Sequence, residues 1–325
     1  MQRNLALDWL KLVLALMVVG LHSVFLRETS PQVSYWLSNS VFRMAVPIFL
    51  VINGYYFFSV VHQSPQAWFK RVLLLYVFWM LVYSYFWLGD WQWSVVGLAK
   101  QVKDVVLGYD HLWYLPAMLG AAAILYGVRG WSTGKLLFSA LVLYTLGLVL
   151  QYAGNYHLAG DGLLDRLLNT FWVYRNFLFF GFPFFTLGYV LRKLHLRHEC
   201  GESIALFQMP LAALSMLTSV AWLCLLGEVV INWYVLPKAE GFDMLASLLW
   251  VCPLVFVLVC RCNVPGDSRQ IANCATAIYF IHPLWIAFFT QFIPLGSLMT
   301  LWVTLGSLVS AYVLIQLQRY WRFIL

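Results

Sequence analysis

Long apolar stretches alternate with short polar connectors along this chain, and each stretch is close to the ~20 residues that carry a helix across a bilayer. The segments fall at about 5–26, 41–61, 70–89, 111–128, 135–152, 173–191, 205–227, 244–261, 274–292 and 297–317. A turn around Pro294 and Gly296 divides the last two. The pattern predicts an all-α polytopic membrane protein of about ten transmembrane helices, built as a single domain over residues 1–325. No hydrophilic stretch is long enough to bury a core of its own, and no transporter-type repeat stands out.

Four breaks in the apolar pattern carry candidate chemistry. In the first segment, Asp8, Lys11 and His22 interrupt the run from Leu5 to Phe25. At about 100° per residue, Lys11 lies roughly 20° and Asp8 roughly 40° from His22, so the three share one stripe. His22 is roughly 16 Å further along the helix than Lys11. Ionisable groups at membrane depth cost about 2.5–3.5 kcal/mol on insertion scales, and they usually line a cavity. A neutral imidazole there suits general-base work, the alternative being a polar contact between packed helices.

The second break is Phe42-Arg43-Met44-Ala45-Val46-Pro47, followed by Asn53-Gly54-Tyr55. A buried Arg keeps its charge and needs a carboxylate, a carbonyl dipole or an anionic ligand. Pro47 frees carbonyls and Gly54 permits close packing, both of which are also common structural devices in spans. The third is Asp110-His111-Leu112-Trp113-Tyr114-Leu115-Pro116 at a helix mouth, equally readable as functional or as part of an aromatic belt. The fourth is Tyr279-Phe280-Ile281-His282-Pro283, where Tyr279 and His282 share a helix face and Pro283 opens the ladder.

Trp68-Phe69-Lys70-Arg71 places two adjacent cations at a helix end, as topology signals or as a clamp for a polyanion such as coenzyme A. His195, His198 and Cys200 have metal-like spacing but no fourth ligand, and no metal is expected. No G-x-S-x-G elbow, P-loop or dinucleotide fingerprint occurs, so a serine acyl-enzyme or a nucleotidase has no support.

Composition agrees with the pattern. Hydrophobic residues make up 62% and charged residues 10%, with mean hydropathy +0.79; an ordinary soluble domain carries ~25% charged residues. The net charge of +7 sits at segment ends and not in one patch, so no nucleic-acid partner is expected. The N-terminal run is too long, and too interrupted by Asp8 and Lys11, for a cleavable signal peptide. On this topology the cysteines lie within spans or near the cytoplasmic side, which implies no disulfide framework.

Lys and Arg set the orientation. Arg3, Lys11, Lys70, Arg71, Arg129, Lys135, Arg192, Lys193, Arg197, Arg261, Arg269, Arg319 and Arg322 fall on the side of the termini. Arg27, Lys100, Lys103, Arg166, Arg175 and Lys238 fall opposite, with Asp90, Asp104, Asp110, Asp161, Asp165, Glu228, Glu240 and Asp243. Both termini are therefore expected in the cytoplasm.

Together these motifs resemble the acyltransferase type 3 family of integral membrane O-acyltransferases. Lys11-x10-His22 with Asp8 upstream is similar to the family's Arg/Lys-x10-His signature, and Arg43-x-x-Val46-Pro47…Asn53-Gly54-Tyr55 to its second-helix segment. His111-x-Trp113-Tyr114-Leu115 resembles the motif of the branch acting on envelope glycans, and Tyr279-x-x-His282-Pro283 the late motif. Two departures are Asn53, where Ser is usual, and Lys11 for the commoner Arg. Residues 154–175 and the seventh and eighth segments carry no family motif.

The resemblance implies transfer of an acyl group, most often acetyl, from cytoplasmic acyl-CoA to a hydroxyl of a carbohydrate or glycolipid acceptor, in the bacterial cytoplasmic (inner) membrane. On that reading His22 is the base, with Asp8, Lys11 and Arg43 in the catalytic set. Lys70, Arg71, Asn53, Tyr279 and His282 serve the donor, and His111, Trp113 and Tyr114 hold the acceptor. The rival from another class is a transporter or flippase for a glycan or its lipid carrier, which moves substrate without covalent change. Oligomeric state is open on either reading.

Overall fold

A computed structural model describes residues 4–89, 93–160, 162–236, 241–321 and 323–325. Arg3, Asp90, Asp161, Lys238, Glu240 and Arg322, which entered the charge count, lie outside the described residues. The helices in chain order are α1 (Leu5–His22), α2 (Pro31–Asn39), α3 (Ala45–Gln63), α4 (Pro65–Val82), α5 (Ser84–Leu88), α6 (Val95–Leu107), α7 (Tyr114–Val128) and α8 (Thr133–Asn155). They continue as α9 (Leu163–Leu168), α10 (Phe182–Glu199), α11 (Ala205–Gln208), α12 (Leu211–Val235), α13 (Leu248–Arg261), α14 (Gln270–Phe289) and α15 (Ser297–Leu317). Among the described residues the fold is all-helical, with a single isolated bridge between Asn4 and Pro265.

Side chains set several helix starts by taking otherwise orphaned backbone N–H groups. Asn4 accepts from the Ala6 N–H, Ser94 from Gly97 and Ser132 from Lys135. Ser30 accepts from Val33 with Pro31 in the first turn, where a missing N–H costs nothing.

Among the described residues, eight helical segments are long and apolar enough to cross a membrane: Leu5–His22, Pro31–Gln63, Asp110–Val128, Thr133–Asn155, Phe177–Glu199, Leu211–Val235, Gln270–Phe289 and Ser297–Leu317. The two other segments expected from the sequence are helical as well. The α4 helix spends its first turns on Pro65, Gln66, Lys70 and Arg71, and α13 has only 14 residues.

Several boundaries differ from the hydropathy reading for identifiable reasons. The first helix stops at His22, four residues early, because Val24 and Leu26 turn the chain with φ of 55° and 65°. Apolar side chains there look like continuing helix in the sequence. The second segment, expected from about 41, is preceded by α2; the chain breaks at Ser40 and re-forms as helix through a short 3-10 turn at Phe42–Met44. The seventh starts at Leu211 and not near 205, because Pro210 holds its neighbour out of the helical region.

The chain divides into two compact units. The first comprises Met1–Ile52, Lys193–Tyr320 and Leu325. In it α1 packs on α13, α14 and α15, α14 lies along α15, and α12 contacts α2 and α13. The second comprises Asn53–Arg192 and Trp321–Ile324. There α7 touches α4, α6 and the π-helical turn Phe177–Gly181, against which α8 also packs.

Candidate functional site

In the first unit, His22 is the last residue of α1, and the strained corner after it is tied down from α15. Ser23 Oγ lies 2.6 Å from Thr300 Oγ1, Leu26 N–H donates to Ser297 Oγ at 3.3 Å, and Ser297 N–H donates to Glu28 at 2.9 Å. Left-handed conformations at β-branched or bulky residues cost about 1–3 kcal/mol each, so this corner is held against its local preference.

His282 from α14 meets His22 edge-to-face, with ring centroids 5.2 Å apart. The spacing Tyr279-x-x-His282-Pro283 explains how His282 is set. A helical N–H at position 283 would bond the carbonyl of Tyr279, but proline has none. His282 takes that acceptor: its Nδ1 is 2.7 Å from the Tyr279 carbonyl and 3.2 Å from that of Ile278. A carbonyl only accepts, so Nδ1 carries the hydrogen and the neutral ring keeps its lone pair on Nε2. His282 is fully buried and Tyr279 nearly so. Tyr279 in turn packs edge-on to Phe49 at 5.9 Å.

The rest of the stripe on α1 pairs within itself. Lys11 Nζ is 3.2 Å from Asp8 Oδ1, and Asp8 is buried. Arg43 finds the carboxylate that a buried guanidinium requires: its Nη1 is 2.5 Å from Asp243 Oδ1. Asn39 Oδ1 accepts from the Phe242 N–H at 2.9 Å, fixing the same connector. The sequence marked Asp243 only as an outer acidic residue, because a partner 200 positions away leaves no local signal.

In the second unit the Asn53-Gly54-Tyr55 segment is a packing hub. Asn53 Nδ2 donates to Tyr114 OH at 2.8 Å, and Arg192 Nη1 donates to Tyr55 OH at 3.2 Å. A Cβ on Gly54 would stand 1.9 Å from the backbone oxygen of Phe185, so only glycine lets α3 and α10 cross this closely. Lys70 and Arg71 are exposed on the first turns of α4, beyond Trp68, which packs on Phe57 at 4.9 Å. Two adjacent exposed cations fit a polyphosphate headgroup.

At the N-terminal end of α7, His111 is buried 3.7 Å from Asp110 and edge-on to Tyr83 at 4.9 Å. Trp113 packs on Phe180 at 5.4 Å. The guanidinium of Arg175 stands 4.8 Å from the Trp113 ring and 4.4 Å from that of Phe171. Sequence reasoning counted Arg175 and Arg192 only as topology signals; a lone Arg beside Asn176, which caps the π-helical turn through the Leu178 and Phe179 N–H groups, was the available hint.

His195 and His198, the pair with metal-like spacing, both stack on Phe207, at 4.7 and 5.9 Å. Among the described residues no group of His, Cys, Asp and Glu is placed to hold a metal ion.

The model of the "Acyltransferase domain" family matches residues 4–317, nearly the whole chain. The chain belongs to the acyltransferase type 3 family. It is a multi-pass membrane protein of that family.

Its similar relatives include a "Serine/alanine racemase" of Enterococcus gallinarum, 25% identical over 308 residues, covering 88% of this chain and 41% of the relative. Two "Amino-acid racemase" proteins of Enterococcus faecalis are 28% identical over 199 residues (56% of this chain, 27% of the relative) and 22% identical over 349 residues (96% and 46%). This family member thus spans less than half the length of the curated relatives it matches. No solved structure matches it significantly.

Proposed function

We propose that this chain is an O-acyltransferase, with acetyl as the transferred group, moving it from acyl-CoA to a hydroxyl of a cell-envelope or extracellular carbohydrate. The observation that carries the reading is the His22–His282 corner: two imidazoles 5.2 Å apart, one with its tautomer set by the Tyr279 carbonyl. Acyl-CoA supplies an activated thioester. His22 takes the proton of the acceptor hydroxyl as its oxygen attacks the thioester carbonyl, and returns a proton to the departing thiolate, so the base ends unchanged. His282, buried and edge-on, is the positioning residue for His22.

Lys70 and Arg71 serve the donor's phosphates, and His111, Trp113 and Tyr114 the acceptor. Arg175, stacked on Trp113, joins the acceptor group. Arg43 is already matched by Asp243 and acts through the connector it holds; Asp8 and Lys11 form a self-neutralised pair. The chain works as one functional domain of about ten spans with both termini cytoplasmic, in the bacterial inner membrane. The racemase names belong to longer proteins, of which this chain matches less than half.

The test is transfer of radiolabel from acetyl-CoA into envelope glycan, with membranes carrying the native chain or His22→Ala at equal protein levels. Label with the first and none with the second is the expected result. Label with both removes His22 from the chemistry. Label with neither, together with unlabelled glycan crossing the membrane, favours the transporter reading.

A further inference from the structure

The α6 helix is built inside out for a water-facing segment. Its 13 residues reach about 20 Å, well short of a bilayer core of about 30 Å. Val95, Val96, Leu98, Val102, Val105 and Val106 fall on an arc of roughly 180° and are all exposed, Val95 by 87% and Val96 by 78%. Gly97, Gln101 and Asp104 occupy the opposite arc of about 60° and are buried.

The buried side of α6 is bonded to the helices beside it. Gln101 Nε2 donates to the Trp87 carbonyl at 3.0 Å, and Tyr76 OH donates to the Val105 carbonyl at 2.6 Å. The preceding helices α4 and α5 also expose apolar side chains, Leu81 and Tyr85 among them. Lys100 and Lys103 stand on one edge of the apolar arc; Lys103 Nζ is 3.1 Å from Asp104 Oδ1, and Lys100 is exposed beside it, where a long cationic side chain reaches from an apolar surface toward headgroups.

We propose that α6 lies in the plane of the bilayer, its valine face seated at the boundary between phospholipid headgroups and acyl chains. Three observations favour lipid over a protein partner: the preceding helices α4 and α5 also expose apolar side chains, the Gln101 amide nitrogen and the Asp104 carboxylate are already paired, and the lysines lie at the edge of the apolar arc. The seating also fixes a depth. At Gly108, φ is +89° and a Cβ would stand 2.6 Å from the Trp113 backbone nitrogen, so the end of α6 is locked to residues 110–113. The segment holding His111 and Trp113 is thereby set at headgroup level.

The experiment places a fluorescent amino acid at Val102, or at Val106 if the first variant folds poorly, in the full-length chain in phospholipid nanodiscs. Leu146, exposed on α8, is the deep control. Nitroxides on the headgroup or at mid-acyl chain, and iodide in water, serve as quenchers. At Val102 the headgroup nitroxide is expected to quench at least about twofold more than the mid-chain one, with the order reversed at Leu146. Quenching by iodide and by neither lipid would overturn the proposal. Protection from all three quenchers would also overturn it, as a second copy covering the face would produce.

Discussion

The His22–His282 corner and the Asn53-Gly54-Tyr55 hub look alike as sequence, each a few polar residues with a helix-perturbing Pro or Gly inside an apolar run. In space they do opposite things. At the corner, the perturbing residue liberates a carbonyl, a histidine takes it, and two imidazoles are left edge to face. At the hub, the perturbing residue closes a helix crossing, and Asn53 and Tyr55 hand their polar groups to Tyr114 and Arg192. A motif in a membrane helix can therefore mark either reactive groups or the crossing that holds helices together. Where its hydrogen bonds go decides which.

The largest expected effect separates the two directly. Replacing His22 by Ala removes a base and leaves the α1 contacts largely intact, so acyl transfer should fall by about 10²–10⁴-fold with little change in thermal stability. Replacing Gly54 by Ala should do the reverse. The added methyl meets the Phe185 backbone, which cannot swing aside, and overpacking of this kind costs about 1–3 kcal/mol or more. Unfolding followed in detergent, alongside specific activity of the surviving folded fraction, checks both. If Gly54→Ala keeps its stability and loses activity per folded molecule, the hub is not architectural and the comparison fails.

Pro283→Ala sharpens the corner's side of the contrast. An N–H at position 283 reclaims the Tyr279 carbonyl and competes with His282 Nδ1, loosening the ring that faces His22. Removing a helix-interior proline should stabilise the fold by about 1–3 kcal/mol, while activity drops by about 10–100-fold through misplacement of the base. A variant both more stable and less active is what the positioning role of His282 requires. One that gains stability at full activity would make His282 a packing residue only.

This contrast also shows which features a sequence can carry. The all-helical layout, eight of the ten expected spans and the opening of the helix at Pro283 were legible, because helix periodicity and the lost proline N–H are local properties. The end of α1 was not: Val24 and Leu26 are apolar and read as helix, and their left-handed backbone is imposed by bonds to residues near 297 and 300. The Arg43–Asp243 pair was half legible, since a buried Arg demands a carboxylate but the sequence does not say which one. Nor did it separate Asn53 from His22, because both are polar residues at membrane depth and only their partners differ.

The smallest expected effect tests the strap behind the corner. Glu28 accepts the Ser297 N–H at 2.9 Å, and hydrogen bonding to Ser297 holds its carboxyl below the usual carboxylate range. A depressed carboxyl stabilises the fold above its unfolded value and loses that contribution as pH falls through its folded value. Glu28 is fully exposed, so solvent screens the effect and the shift in midpoint should be small. The measurement is the unfolding midpoint of the native chain minus that of Glu28→Gln, followed from about pH 6 down to about pH 3. The difference should be positive at the upper end and close as the carboxyl protonates. A difference that stays constant would mean the strap acts through its neutral geometry, with Ser23–Thr300 and Leu26–Ser297 holding His22 in place without help from charge.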